Sequence, residues 1–324
     1  MPDKDTPPTR KKRHTRKFKK RFLLIPLLAI ILFGVYYFVS LYNTANQIVT
    51  DSYEDAGRDK SDLRDQAVDP NIHNVSVLII GVDTSEHRKD QGNPRSDTLM
   101  LATLNQKEKS VKLVSIPRDS YVYIPEVGYE TKINHAHAYG GVKATIDTVE
   151  NLFDIPVDYF VKMNFEAFVD VVDAIDGIKV NVPYEFYESN SQDVKGAIHL
   201  MPGEQTLNGE EALALARTRK LDNDIERGKR QQEIIKAIVK KSVSLGSFFK
   251  LDNVIQAVGG NMTTNMTFDE MKSFVSYGIG GNELDIETYT LVGYDSQPAG
   301  IFYYMLDQAA LEETKAMLRA HLEL

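Results

Sequence analysis

Val75-Ser76-Val77-Leu78-Ile79-Ile80-Gly81 is a short apolar run closed by a glycine, and the fold is read outward from it. Thr98–Leu104 is a second such run, and Val111–Ile116 a third in which apolar and polar residues alternate. Runs of this length and composition predict strands buried on one or both faces. Helical spacing then takes over. Val142, Ile146, Val149 and Phe153 recur every three or four residues, and Phe165, Phe168, Val169 and Val172 repeat the pattern after a strand at Asp158–Met163. A strand is expected at Ile178–Val182, helices at Gly209–Ala216, Glu226–Val243, 247–257 and 267–278, a strand at Asp285–Val292 and a closing helix from Asp307, with 183–208 reading as loop. Strands alternating with helices imply a mixed α/β sandwich.

Upstream of this domain the composition changes sharply. The chain of 324 residues has a net charge of −8, but residues 1–21 carry ten Lys and Arg against two Asp, a local net of +8, which leaves −16 for the remainder. Residues 22–39 hold no charge, and Ser40, Leu41 and Tyr42 extend the apolar segment to 42. At about 1.5 Å per helical residue such a segment approaches the roughly 30 Å hydrocarbon core of a bilayer. Tyr36, Tyr37 and Tyr42 fall where an interfacial aromatic belt lies, and the basic flank places residues 1–21 in the cytoplasm by the positive-inside rule. The apolar region exceeds that of a cleaved signal peptide, and no small-x-small site follows, so it reads as an uncleaved signal anchor. Tail and span explain each other, which favours a membrane anchor over the alternative of a nucleic-acid-binding arm. Residues 43–74, with seven acids and three bases and no sustained periodicity, read as a linker. The absence of cysteine excludes disulfide scaffolds, thiolate metal sites and cysteine nucleophiles.

Candidate chemistry gathers at the ends of the expected strands. Asp83 follows the first, and Asp97 stands in Arg95-Ser96-Asp97-Thr98 before the second. Two carboxylates are the minimum protein contribution to a Mg²⁺ that takes its other oxygens from phosphate and water, although Asp is also a common turn residue. Arg95, Arg118 in Ile116-Pro117-Arg118-Asp119, and Arg217 and Arg219 in Ala216-Arg217-Thr218-Arg219 flank element ends as well. In an extended segment Arg217 and Arg219 share a face, with Thr218 opposite. Arg227 and Gln231 share a helical face that continues into Ile234, Ile235 and Ile238, which turns both toward the interior or a pocket lip. Guanidinium groups recognise phosphate bidentately and stay charged when partly desolvated. A domain of net −16 that gathers arginines in this way points to a pyrophosphate with Mg²⁺, chelated by Asp83 and Asp97; pairing of each arginine with a surface acid is the alternative.

The segment Tyr129–Gly141 contains His135 and His137, but no third ligand at zinc-site spacing accompanies them. Lys132 and Asn134 read either as further anion donors or as loop structure. No Ser/His/Asp order, Walker-type loop or paired-carboxylate glycosidase spacing is present. The apolar faces of the 141–153 and 165–175 helices are either core or the wall of a tunnel for a long hydrocarbon.

From Val75 to Val243 the chain resembles the LytR-CpsA-Psr family of cell-wall glycopolymer ligases. The resemblance is carried by Gly81-Val82-Asp83, Arg95-Ser96-Asp97-Thr98, Ser115–Asp119, Lys132–Ala136, Asn208–Leu213, Ala216–Arg219 and Arg227–Gln231, in that order. It implies a three-layer α/β/α fold with a central mixed sheet, preceded by one N-terminal transmembrane helix. The corresponding divisions are a basic tail 1–21, a signal anchor 22–42, a linker 43–74, a catalytic domain 75–245 and a C-terminal extension 246–324. It further implies a pocket for a polyprenyl chain whose pyrophosphate lies at the mouth with Mg²⁺, and transfer of an undecaprenyl-pyrophosphate-linked glycopolymer, such as a wall teichoic acid precursor, onto the C6 hydroxyl of N-acetylmuramic acid in peptidoglycan. Asp83 and Asp97 would hold the metal, and Arg95, Arg118, Arg217, Arg219, Arg227 and Gln231 would contact the phosphates. Arg118 would be catalytic, and Asp97 or Asp119 would assist as base. The expected location is the cell membrane, as a single-pass type II protein with its catalytic domain outside. A polyprenyl-pyrophosphate phosphohydrolase and a non-enzymatic membrane-bound regulator are the competing readings.

Overall fold

The first apolar run is realised in β1 (Val75–Val82), an inner strand of the central sheet. The computed structural model describes residues 36, 39–40, 42–83, 93–220, 224–243, 254, 257, 261–275 and 284–324. The expected span 22–42 and the expected helix 247–257 lie almost wholly outside these residues. Among the described residues no helix is long and apolar enough to cross a membrane.

After β1 come β2 (Ser96–Asn105), β3 (Ser110–Ser115), the hairpin β4 (Tyr121–Ile124) and β5 (Tyr129–Lys132), helix α1 (His135–Phe153), β6 (Tyr159–Met163) and α2 (Phe165–Ala174). Then follow β7 (Ile178–Val182), β8 (Phe186–Glu188), β9 (Ile198–Leu200), β10 (Gly203–Leu207), α3 (Gly209–Arg217) and α4 (Asp224–Val243). The last part holds β11 (Met262–Thr264), α5 (Phe268–Val275), β12 (Asp285–Thr290), β13 (Gly293–Ser296), β14 (Tyr303–Leu306) and α6 (Gln308–Leu322). The sheet order is β11-β6-β1-β2-β3-β12, with β1–β6 and β3–β12 parallel and the other pairings antiparallel.

Period-2 alternation sends β1 side chains to opposite faces. Leu78, Ile80 and Val82 join Leu99, Leu101, Val114 and Ile116 against Val142, Ile146, Val149 and Phe153 of α1 and Leu311 and Leu318 of α6. Val75 and Val77 join Met100, Ala102, Val111 and Leu113 on the other face, where Ile235 and Val239 of α4 and Met271 and Phe274 of α5 pack. Helices therefore cover both faces of a mixed sheet. A third cluster gathers α2, β7, β10, α3 and Ile234 of α4. Gly140 and Gly141 kink α1, with Gly141 at φ +63, a conformation open to glycine. That kink hides the first turns from the heptad-like spacing, so the helix begins at His135 and not at 141.

Two boundaries differ from the sequence reading. The expected loop 183–208 contains β8, β9 and β10, strands of three to five residues too short to show periodicity. The expected linker is docked on the domain. Arg58 donates to both carboxylate oxygens of Glu150 at 2.6 and 2.7 Å, and Arg64 holds Asp158 at 2.7 Å. The backbone of Ser52 and Glu54 meets Thr264. Polar residues anchor this stretch, which is why its polarity mimicked a solvated linker. The 246–324 segment supplies β11 and β12, the two outermost strands of the central sheet.

Candidate functional site

Asp83 and Asp97 are brought together by a β-bulge. Gly81 pairs with Thr98 and Val82 with Ser96, so Asp97 is the extra residue of β2 opposite the end of β1. Bulges of this kind re-aim side chains at strand ends. β3 ends beside the start of β2, and the chain leaving it places Arg118 Nη1 2.6 Å from Asp97 Oδ1. β6, parallel to β1, ends at the same edge and delivers Met163 and Asn164. Asn164 then caps α2 by accepting from the Ala167 amide at 2.9 Å.

The wall opposite the sheet comes from α3 and α4. Asn208 forms a capping box with Glu211 that sets the start of α3. Gly209 is required there, because a Cβ would lie 2.3 Å from the Val169 carbonyl oxygen of α2. Arg217 is the last helical residue, and the extended geometry expected for 217–219 begins only at Thr218, which is fully buried. Arg217 packs its guanidinium 4.7 Å from the Phe165 ring centroid and donates to Asn190 O and Asp193 Oδ1.

These elements enclose a cavity of about 340 Å³. Asp83, Asp97, Arg118, Arg217, Arg219, Arg227 and Gln231 line it, and its apolar wall is built from Ile79, Met100, Phe165, Phe168, Leu213, Ile234 and Ile235. The two helices left open by the sequence take different parts: the 142–153 face is core, whereas Phe165 and Phe168 line the cavity. Arg227 and Gln231 share the cavity with Ile234 and Ile235, as their common helical face requires.

Of the nine candidate residues, seven line this cavity and two do not. Arg95 is exposed and stands near His135 and Tyr139, whose titration its charge affects. Asp119 receives Lys132 Nζ at 2.8 Å, with Arg118 Nε at 3.7 Å. His135 pairs with Thr131 Oγ1, and His137 with the Pro94 carbonyl.

Asp224 is a residue the sequence reading missed. In the first turn of α4 it lies 2.9 Å from Arg227, 3.4 Å from Arg219 and 4.0 Å from Arg118. An acid at a helix N-terminus is ordinary; only its position three residues before a buried Arg227 marked it. Even with this partner, burial pushes the Arg227 guanidinium down to about 10, Asp224 opposing and Arg219 and Arg118 reinforcing the effect. Among the described residues, the Nε atoms of both Arg118 and Arg227 are buried without a hydrogen-bond partner. Buried donors are normally satisfied, and an oxyanion at the mouth would supply acceptors that the described residues do not give these two Nε atoms. Asp83 and Asp97, two carboxylates facing one cavity beside those donors, are the oxygen set that a phosphate-bound Mg²⁺ accepts.

The LytR_cpsA_psr family model matches residues 35–320. The polyisoprenyl-teichoic acid–peptidoglycan teichoic acid transferase TagT of Bacillus subtilis (strain 168) is 40% identical over 318 residues, which is 96% of this chain and 96% of TagT. A solved structure of TagT bound to LIIa-WTA has a TM-score of 0.72 and 41% identity, covering 83% of this chain and 98% of that one. Another, of TagT with bound octaprenyl pyrophosphate lipid, has a TM-score of 0.67 and 39% identity, covering 82% and 98%.

Proposed function

The chain belongs to the LytR-CpsA-Psr family, and from that membership we propose that it transfers a polyprenyl-pyrophosphate-linked anionic glycopolymer, such as wall teichoic acid, onto peptidoglycan. The observation that carries the reading is the joining of an apolar chamber to an arginine cluster with unsatisfied buried donors in one cavity. A polyprenyl pyrophosphate has the same two halves, a hydrocarbon and a compact polyanion.

The reaction forms a bond from the C6 hydroxyl oxygen of N-acetylmuramic acid to the phosphorus that bears the glycopolymer, and breaks the bond from that phosphorus to the oxygen of the polyprenyl phosphate. Charge moves onto the leaving phosphate as the bond breaks. Arg118, Arg217, Arg219 and Arg227 stand where fixed positive charge stabilises that build-up, without reorganisation during the step. Gln231 is held in place by donating to Ala216 O and adds a polar group beside them. The hydroxyl proton passes to a carboxylate. Both candidate acids are ion-paired, Asp97 to Arg118 and Asp119 to Lys132, but only Asp97 lines the cavity, which favours it as the base. Bound Mg²⁺, held by Asp83 and Asp97, would neutralise phosphate charge.

Arg95 belongs to the approach to the mouth and not to its lining. The uncharged 22–42 segment with its basic flank supports a single span that holds the domain outside the cell membrane, the N-terminus remaining in the cytoplasm.

The test is to mix the full chain with lipid-linked glycopolymer, with and without soluble peptidoglycan oligomers. Transfer predicts polymer-modified oligomers and little phosphate release in their absence. Equal turnover without oligomers would establish a hydrolase instead, and normal wall attachment in cells by Asp83→Ala with an intact basic tail would favour a regulator.

A further inference from the structure

The charged mouth continues past Arg118 into a surface that the cavity does not use. Asp119 holds Lys132 Nζ at 2.8 Å, and that ammonium lies 5.8 and 5.7 Å from the ring centroids of Phe302 and Tyr303. Tyr303 meets Tyr121 edge to face at 5.0 Å. On the other flank of Lys132, His135 packs on Tyr139 at 5.8 Å, and Tyr139 on Tyr129 at 6.4 Å, the two hydroxyls hydrogen-bonded at 3.2 Å. Tyr129 and Tyr139 are 50% and 43% exposed. The β4–β5 hairpin joins the two ring groups: Tyr121 stands opposite Lys132, Tyr129 opposite Ile124, and Thr131 Oγ1 meets His135 Nδ1 at 3.0 Å, so the rings and Lys132 form one patch beside Arg118. None of the patch residues lines the cavity.

Flat aromatic faces with polar rims, held in place by edge contacts with one another, suit a ligand that is apolar on one side and hydroxylated at its edges. The C–H face of a pyranose ring has that character. We infer that this patch is the acceptor subsite, seating the N-acetylhexosamine strand of peptidoglycan while its C6 hydroxyl reaches the phosphorus at Arg118; the inference rests on the transferase reading above. In-line displacement requires the nucleophile to enter opposite the leaving group. The hydrocarbon of the leaving polyprenyl phosphate belongs to the apolar chamber, with its phosphate among the arginines, and the patch adjoins the mouth through Arg118 and Asp119, outside that chamber. Glu126 and Glu130, both exposed, border the patch and offset the charge of Lys132 and Arg95, and an uncharged N-acetylated sugar backbone meets no electrostatic penalty from either set.

The experiment uses the full chain in detergent with saturating lipid-linked donor and varied soluble, uncrosslinked peptidoglycan oligomers. Tyr129→Ala/Tyr139→Ala should raise the acceptor KM about tenfold, the scale of two lost ring contacts. Displacement of a fluorescent polyprenyl pyrophosphate should be unchanged, and Tyr129→Phe/Tyr139→Phe, which keeps the rings, should restore most of the acceptor affinity. An unchanged acceptor KM overturns the inference. So does a rise confined to the donor KM, which would place the donor glycan on the rings, or a loss confined to association with anionic vesicles, which would make the patch a membrane contact. If the wild type modifies no oligomers at all, the transferase reading fails first. Calorimetric binding of the oligomers to wild type, and its loss in the double alanine variant, then still decides whether the patch holds glycan.

Discussion

Arg58 and Arg227 are both withdrawn from water, yet their surroundings drive them in opposite directions. Burial pushes the Arg58 guanidinium down, but hydrogen bonds and charge from Glu150, with Asp147 and Asp62, outweigh it and leave the group above its ordinary value. Its two Nη atoms have acceptors on Glu150 and on Val157 O. Among the described residues Arg227 is hydrogen-bonded to one carboxylate, Asp224, shared with two other arginines, and burial dominates even with Asp97 adding to Asp224. The same side chain thus closes a saturated network in one region and an unsaturated one in the other. A saturated buried pair holds structure together and has nothing left to offer a ligand. An unsaturated cluster of like charges costs stability and persists where an anion completes it.

The largest effect separates the two regions by their readouts. Glu150 accepts from Arg58, Ser61 Oγ and the Val157 amide. Glu150→Ala strands a buried guanidinium and should cost about 3–5 kcal/mol of unfolding free energy, measured by urea denaturation, and it should release the 44–74 segment to limited proteolysis. Stability within about 1 kcal/mol of wild type would show the network to be dispensable. At the mouth the stability change is smaller. Arg118→Ala should lower transfer about 10²-fold or more if one donor is worth roughly 3 kcal/mol in the transition state, while thermal stability without lipid should fall less than in Glu150→Ala, because relief of like-charge repulsion around Arg227 offsets the lost pair with Asp97. Near-normal transfer would count against the arginine clamp.

This contrast also sets what the sequence could reveal. β1 and β2 were legible as short continuous apolar runs, the first closed by Gly81, and β3 by the alternation of Val111–Ile116. The cavity arginines were legible because they run against an acidic domain's trend, and Arg227 and Gln231 share a helical face with isoleucines. Arg58 and Arg64 were not, since a polar stretch with scattered charges looks the same whether its partners are water or the buried Glu150 and Asp158. Asp224 was hidden by its ordinary place in a first helical turn. The division of roles between Val142 and Phe168, one in the core and one on the cavity wall, was closed to sequence because both lie on apolar helical faces and only packing distinguishes them. β11 and β12 escaped assignment to the sheet because pairing partners some hundred residues or more away leave no local period.

A third buried polar group completes the comparison with the smallest effect. His321 is 4% exposed and sits between Thr103 Oγ1 and Ser110 Oγ, each at 2.8 Å, so it is saturated by neutral hydroxyls and not by a charge. Burial holds its pKa below the ordinary histidine value, and Lys112 adds to the effect; Glu108 and Glu287 oppose it. The folded protein therefore binds this proton more weakly than the unfolded chain. Below the unfolded value near 6.5 the unfolded state carries more protons, so stability falls as pH drops through that point. The loss from His321 is at most about 1.4 kcal/mol per pH unit. Denaturant unfolding followed from pH 7.5 to 5 should show this slope, and His321→Gln should flatten it whatever its baseline stability. His135 and His137 are shifted the same way, chiefly by burial, so part of the slope survives the substitution. An undiminished slope in that variant would mean that the hydroxyl pair accepts both imidazolium protons well enough to offset the desolvation, and that saturation by neutral groups can serve a cation as fully as Glu150 serves Arg58.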